Sequence, residues 1–157
     1  MRSRTRATTI PGTLAVLLLA GATAATAYGY PHSGYQVQIE NQINSVIAGA
    51  RGRGFNLIVA NQRGQMYTGG GNAFFIVYLQ AGADYRFEAR CDTDCTDLDL
   101  SLRDANGREL IADRDMDDFP GFGFRAPYTG AYRVTLELAR CRAYRCQVGA
   151  VVLGRSI

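Results

Sequence analysis

The 157-residue chain contains a single histidine, His32, and no lysine. One histidine in a Tyr/Gly-rich stretch leaves no base for a Ser-His-Asp or Cys-His site, which needs a base beside the nucleophile. There is no G-x-S-x-G, no H-E-x-x-H and no phosphate-binding loop. Gly69-Gly-Gly71 has no Lys after it and reads as a loop. The missing lysine reads as base composition, because no physical rule ties it to a function. A long apolar run is missing too: Leu14-Ala-Val-Leu-Leu-Leu-Ala20 is too short to span a bilayer. There is no internal repeat and no long linker.

The start of the chain has a different character. Arg2, Arg4 and Arg6 precede that short apolar core, and Ala25-Thr26-Ala27 is an A-x-A cleavage site. These are the parts of a secretory signal, so residues 1–27 are expected to be removed near Ala27. No Cys follows the apolar core, so no lipid anchor is expected. The export destination reads as periplasmic or secreted. Three of the 17 basic residues fall in the signal, which leaves 14 Arg against 14 acidic residues. A balanced mature chain lacks the basic face that nucleic-acid binding needs. The charge is unevenly placed, because residues 92–118 are strongly acidic and 119–157 are Arg-rich.

Four cysteines in an exported chain point to disulfides. The spacings Cys91/Cys95 and Cys141/Cys146 favour two local bridges. Zinc is the rival, but these are CxxxC and CxxxxC rather than the usual CxxC.

Residues 28–54 read as an extended leader, 28–35, followed by a helix. Ile39, Ile43, Val46, Ile47 and Ala50 fall on one helical face, which should pack on the domain. Residues 55–157 then alternate with period two. Strands are expected at Phe55–Asn61 and Gln65–Thr68 around an Arg63-Gly64 turn. Further strands are expected at Ala73–Leu79, Tyr85–Arg90, Asp97–Arg103, Arg108–Asp113, Phe122–Ala126, Ala131–Leu138 and Gln147–Leu153. Ala73–Leu79 is nearly all apolar and reads as a central strand buried on both faces. Eight or nine short strands indicate an all-β fold, a β-sandwich or barrel.

The densest chemistry lies in Cys91–Gly107, with five aspartates, followed by Asp113-Arg-Asp-Met-Asp-Asp118. Asp104-Ala-Asn-Gly107 is a turn signal for a three-residue hairpin loop pairing Asp104 with Arg108. Counting outward, Arg103 faces Glu109, Leu102 faces Leu110, Asp99 faces Asp113 and Asp97 faces Asp115. Opposed carboxylates destabilise a sheet unless something neutralises them. Calcium, a hard cation taking oxygen ligands, is the expected cofactor, with Asp92, Asp94, Asp117 and Asp118 completing its shell. The alternative is a solvated cluster, or one paired with Arg90, Arg114 or an Arg from 140–145. The aromatic run Phe119–Phe124 with Tyr128 reads as core packing, with a contact patch as the alternative.

Phe75-Ile-Val-Tyr-Leu-Gln-Ala-Gly-Ala-Asp-Tyr85, the Cys91–Gly107 stretch, Asp113–Pro120 and Thr129-Gly-Ala-Tyr-Arg-Val134 together resemble the bacterial pre-peptidase C-terminal domain family. The resemblance covers about residues 72–153. It implies a jelly-roll-like antiparallel β-sandwich, non-catalytic and often found behind a protease, with calcium bound in related aspartate loops. This chain departs in having no peptidase domain, a helical N-terminal segment and two Cys pairs. The expected function is an exported, non-catalytic, calcium-stabilised module that binds a protein or polysaccharide at the cell surface. The alternative is a structural or interaction component of the envelope without metal, and the least favoured is a small hydrolase.

Overall fold

The computed structural model describes residues 34–155, with the side chains of 60–62 excepted. The expected signal segment, its cleavage site, most of the leader and His32 lie outside the described residues. One helix, α1 (Gly34–Arg51), precedes eight strands. These are β1 (Asn56–Tyr67), β2 (Asn72–Leu79), β3 (Asp84–Cys91), β4 (Cys95–Arg103), β5 (Glu109–Asp113), β6 (Gly121–Arg125), β7 (Gly130–Cys141) and β8 (Arg145–Arg155). They form two four-stranded antiparallel sheets, in the orders β1-β8-β3-β6 and β2-β7-β4-β5. This is an all-β sandwich with the strand partition of a jelly roll.

The main core lies between the sheets. Tyr85, Phe87 and Ala89 of β3 meet Leu98, Leu100 and Leu102 of β4 and Tyr132, Val134, Leu136 and Leu138 of β7. Strict alternation along these strands sends one side chain in and the next out. A second, smaller core lies outside the sandwich. There Ile39, Ile43 and Ala50 of α1 cover Val151 and Leu153 of β8. Burying an isoleucine is worth roughly 1.5–3 kcal/mol, so Ile39 and Ile43 hold the helix in place. The helix ends where Phe55 N–H donates to Ala50 O and Gly54 takes a positive φ of 81°. Gly34 and Tyr35, expected in the extended leader, belong to its first turn.

Both local disulfides are present, Cys91–Cys95 and Cys141–Cys146. Cys95 lies opposite Cys141 on neighbouring strands, so the two bridges sit side by side. They place the chain in an oxidising compartment. Among the described residues, no helix is long and apolar enough to cross a membrane.

Three expectations need correction. Arg63-Gly64 is not a turn: β1 runs straight through it, pairing Arg63 with Gly149 and Gly64 with Val148. Two irregularities in the β1–β8 ladder absorb the break in its alternation. The apolar run Ala73–Leu79 is not a central strand. β2 lies at a sheet edge, and Phe74, Ile76 and Tyr78 are exposed. The strand buried on both faces is β8, because α1 covers its outer side.

The third correction concerns the acidic hairpin. Its loop is as expected: Asp104 N–H donates to Arg108 O, Gly107 takes φ 82°, and Arg103 pairs with Glu109 at 2.8 Å. One step further the register slips, so that Leu102 faces Ile111 rather than Leu110. A one-residue slip moves every later side chain to the other face. Asp113 therefore faces Leu100 instead of Asp99, and Asp115 lies beyond the end of β5.

Candidate functional site

With that register the carboxylates expected to form one cluster disperse. Asp92 is buried, and its two oxygens accept the amides of Asp94 (3.1 Å) and Gln147 (2.6 Å). Asp94 faces the Tyr35 hydroxyl, and that hydrogen bond raises the tyrosine pKa above its ordinary value. Asp97 is buried opposite Arg140. Asp99 lies across from Glu137. Burial raises its pKa first, the charges of Asp97 and Glu137 raise it further, and Arg114 opposes them. Arg114 itself chelates Glu109, at 2.9 and 2.7 Å, and lowers that carboxyl's pKa. Among the described residues, no three His, Cys, Asp or Glu side chains gather closely enough to hold a metal ion. Asp92 and Asp113 each use both oxygens to accept backbone amides. A calcium shell takes six to eight converging oxygens, and the oxygens of these two carboxylates are directed at backbone amides.

The second acidic run does something else. Asp113, Asp115, Asp117 and Asp118 line one wall of an open cleft of about 960 Å³. The loop is fixed by backbone bonds. Leu98 N–H donates to Asp117 O and Cys91 N–H to Asp118 O, which ties the loop beside the Cys91–Cys95 bridge. Three aspartate-to-amide bonds shape its path: Asp113 accepts from Asp115 and Gly121, and Asp117 from Phe119. The last of these sets Phe119 at the rim, 56% exposed. The opposite wall is α1, through Gln42, Ser45, Val46 and Gly49, with Arg53 just beyond its end.

The floor is the outer side of β3. Tyr85, Phe87 and Ala89 turn into the core, so Arg86, Glu88 and Arg90 turn out. Glu88 is buried, and each of its oxygens accepts from a guanidinium, Oε1 from Arg86 and Oε2 from Arg90 at 2.9 Å. A carboxylate tucked against a sheet needs an empty position beside it. Gly121 supplies this, since a Cβ there would lie 2.9 Å from Glu88 Oε2 and 3.0 Å from Phe87 O. The cleft therefore presents carboxylates on one wall, guanidinium groups on the floor and an aromatic ring at the lip.

Of the eight predicted ligand aspartates, the cleft collects the last four and leaves Asp92, Asp94, Asp97 and Asp99 outside. The aromatic run divides as well. Phe122 and Phe124 pack against Phe87 in the core, while Phe119 faces out. Sequence reasoning missed Arg86 and Glu88, and named Arg90 only as a counter-charge for the aspartates. Their signal was the alternation in Tyr85-Arg-Phe-Glu-Ala-Arg90, which marks one charged face. The chain matches no family model, and no curated protein matches it.

Proposed function

We propose that this protein is an exported, non-catalytic binding module that holds an extracellular polysaccharide in the cleft between α1 and the Asp113–Phe119 loop. The observation that carries this reading is the composition of the cleft. Carboxylates accept and guanidinium groups donate hydrogen bonds, which together suit the hydroxyls of a sugar. The exposed Phe119 ring offers an apolar face for stacking. An open groove takes a chain rather than an enclosed small molecule. Its charges are mixed, so the ligand is not a polyanion. The jelly-roll sandwich, which also occurs in lectins, supports the reading by analogy only. So does the resemblance to the pre-peptidase C-terminal family.

Binding rather than hydrolysis is the reading because glycoside hydrolysis needs a free acid and a free base among the carboxylates, and Asp113 turns both oxygens to backbone amides. The carboxylate at the centre of the floor, Glu88, is engaged by two arginines. Export to the periplasm or the medium is part of the proposal, supported by the two disulfides and the basic-apolar start of the chain. Calcium is not part of it. Melting of the purified protein in millimolar calcium and in chelator should differ by less than about 1 °C, since a ligand that binds only the folded state raises stability.

The experiment is affinity electrophoresis and calorimetry against a panel of cell-wall and exported polysaccharides. At least one should bind, and Phe119→Ala together with Asp117→Asn should weaken binding about tenfold or more, as expected for losing one stacking and one hydrogen-bond contact. No binding across the panel, with capture of an envelope protein instead, would replace this reading with the protein-interaction one.

A further inference from the structure

Among the described residues, no strand pairs with the outer edge of β2, which lies away from the cleft. Leu138 N–H donates to Gly71 O, so Gly71 and Leu138 form a hydrogen-bonded pair. Such pairs alternate along an antiparallel ladder. The next hydrogen-bonded pairs are Ala73–Leu136, Phe75–Val134, Val77–Tyr132 and Leu79–Gly130. It follows that Asn72, Phe74, Ile76 and Tyr78 point their N–H and C=O groups away from β7, into the open edge. Their side chains are also the exposed ones, at 59% for Phe74, 49% for Ile76 and 76% for Tyr78.

Natural edge strands are guarded by charge, proline, bulges or shortness. The other three edges here have such guards. β1 pairs irregularly at two places and carries Arg63. β5 has only five residues, includes Glu109 and Asp113, and is bulged. β6 also has five residues, two of them glycine, and ends in Arg125. β2 has none of these: its eight residues, Asn-Ala-Phe-Phe-Ile-Val-Tyr-Leu, include no charge and no proline, and its register with β7 is unbroken.

We infer that two copies of this chain pair through β2, antiparallel and in register about Ile76, joining their two β2-β7-β4-β5 sheets into one eight-stranded sheet. The occupant follows from the strand's self-complementarity. Ile76 has both backbone groups facing out, so Ile76 opposite the second copy's Ile76 is a hydrogen-bonded pair, as a two-fold axis at that point requires. The same register sets Phe74 opposite the second copy's Tyr78, and Tyr78 opposite its Phe74. Aromatic pairs directly across an antiparallel ladder are among the favourable ones. The strand carries no charge, so its own copy brings no repulsion to the seam. A two-fold contact of this kind closes on itself and gives a dimer rather than a fibre. The cleft floor lies on the other sheet and its Asp113 wall begins at β5, the edge opposite β2, so both clefts stay open and a dimer would grip a polysaccharide at two points.

The test is sedimentation equilibrium of the oxidised chain purified from an exporting host, from about 1 to 100 µM, a range covering ordinary dimer affinities. A monomer–dimer equilibrium is expected. Ile76→Lys puts two ammonium groups at the axis and should weaken dimerisation on the order of 100-fold, with the melting temperature of the monomer unchanged. Phe119→Ala, in the cleft, should leave the dimer intact. A wild type that stays monomeric at 100 µM overturns the inference, and so does a dimer that Ile76→Lys leaves untouched. Because sedimentation needs no sugar, its outcome is independent of whether the cleft binds one.

Discussion

Strands β2 and β8 are two strongly apolar runs of the described residues, and they have opposite surroundings. β2 reads Asn-Ala-Phe-Phe-Ile-Val-Tyr-Leu and lies at an edge with alternate side chains in water. β8 includes Gln-Val-Gly-Ala-Val-Val-Leu, with smaller side chains, and is buried on both faces. Side-chain size follows from what each strand must fit beneath. The inner side of β8 faces the sandwich and its outer side lies under Ile39 and Ile43, so small branched residues and glycine fill the space. No element covers the outer side of β2, where the Arg133 guanidinium of β7 lies 4.6 Å over the Phe74 ring, so large rings are accommodated there without a packing cost. Apolar content alone does not separate a central strand from an edge; the covering element does.

The largest expected effect breaks the buried strand. Val152→Asp places a carboxylate between β8 and the main core, with no partner for the charge. It should destabilise the protein by at least about 4 kcal/mol, enough to abolish recovery of folded material. Denaturant melts or yield of soluble protein would show it, and a stable variant would mean that β8 is not central. Next comes Gly154→Val. A Cβ at Gly154 would lie 2.7 Å from Ile58 Cγ1 and 3.1 Å from Tyr85 Cε1. The cost should be about 2 kcal/mol, read by thermal denaturation.

A smaller effect of opposite sign is expected on the open face that β2 shares. Asp99 has a raised pKa, from burial and then from Asp97 and Glu137. The folded chain thus holds this proton more tightly than the unfolded chain. Stability falls as pH rises from the ordinary aspartate range near 4 through the folded pKa, and stays lower above it. Asp99→Asn should raise the melting temperature by about 2 °C at pH 7 and by nothing near pH 3. A gain that is equal at both pH values would disconnect it from the charge. The smallest effect on folding belongs to Ile76→Lys, within about 0.5 kcal/mol of wild type by denaturant melt, because the position is already in water. A large loss there would mean that the β2 edge supports the monomer.

Much of the fold can be read from local pattern. The helical face Ile39, Ile43, Ala50, the alternation Tyr132, Val134, Leu136, Leu138, and the Asp104–Gly107 loop each follow from periodicity or turn chemistry. What escaped depends on distant residues. The position of β2 at an edge is a matter of topology, and its own sequence carries no trace of it. The irregular β1 ladder made one strand resemble two. At the acidic site one bulge at Leu110 undid a correct count, because parity carries every later residue with it. Asp113–Asp118 could be singled out as a motif, but its counterpart, the Arg86-Glu88-Arg90 floor, is set beside it only when β3 pairs with β6.

The place of β8 between β1 and β3 has a consequence in time. Among the described residues, the last strand completes the sheet that the first strand begins, and it is also the seat of α1. Neither core can close until residues 145–155 have emerged. Pairings this far apart in sequence form late and slowly. A chain built so cannot close either core for as long as residues 145–155 are held back from β1, β3 and α1.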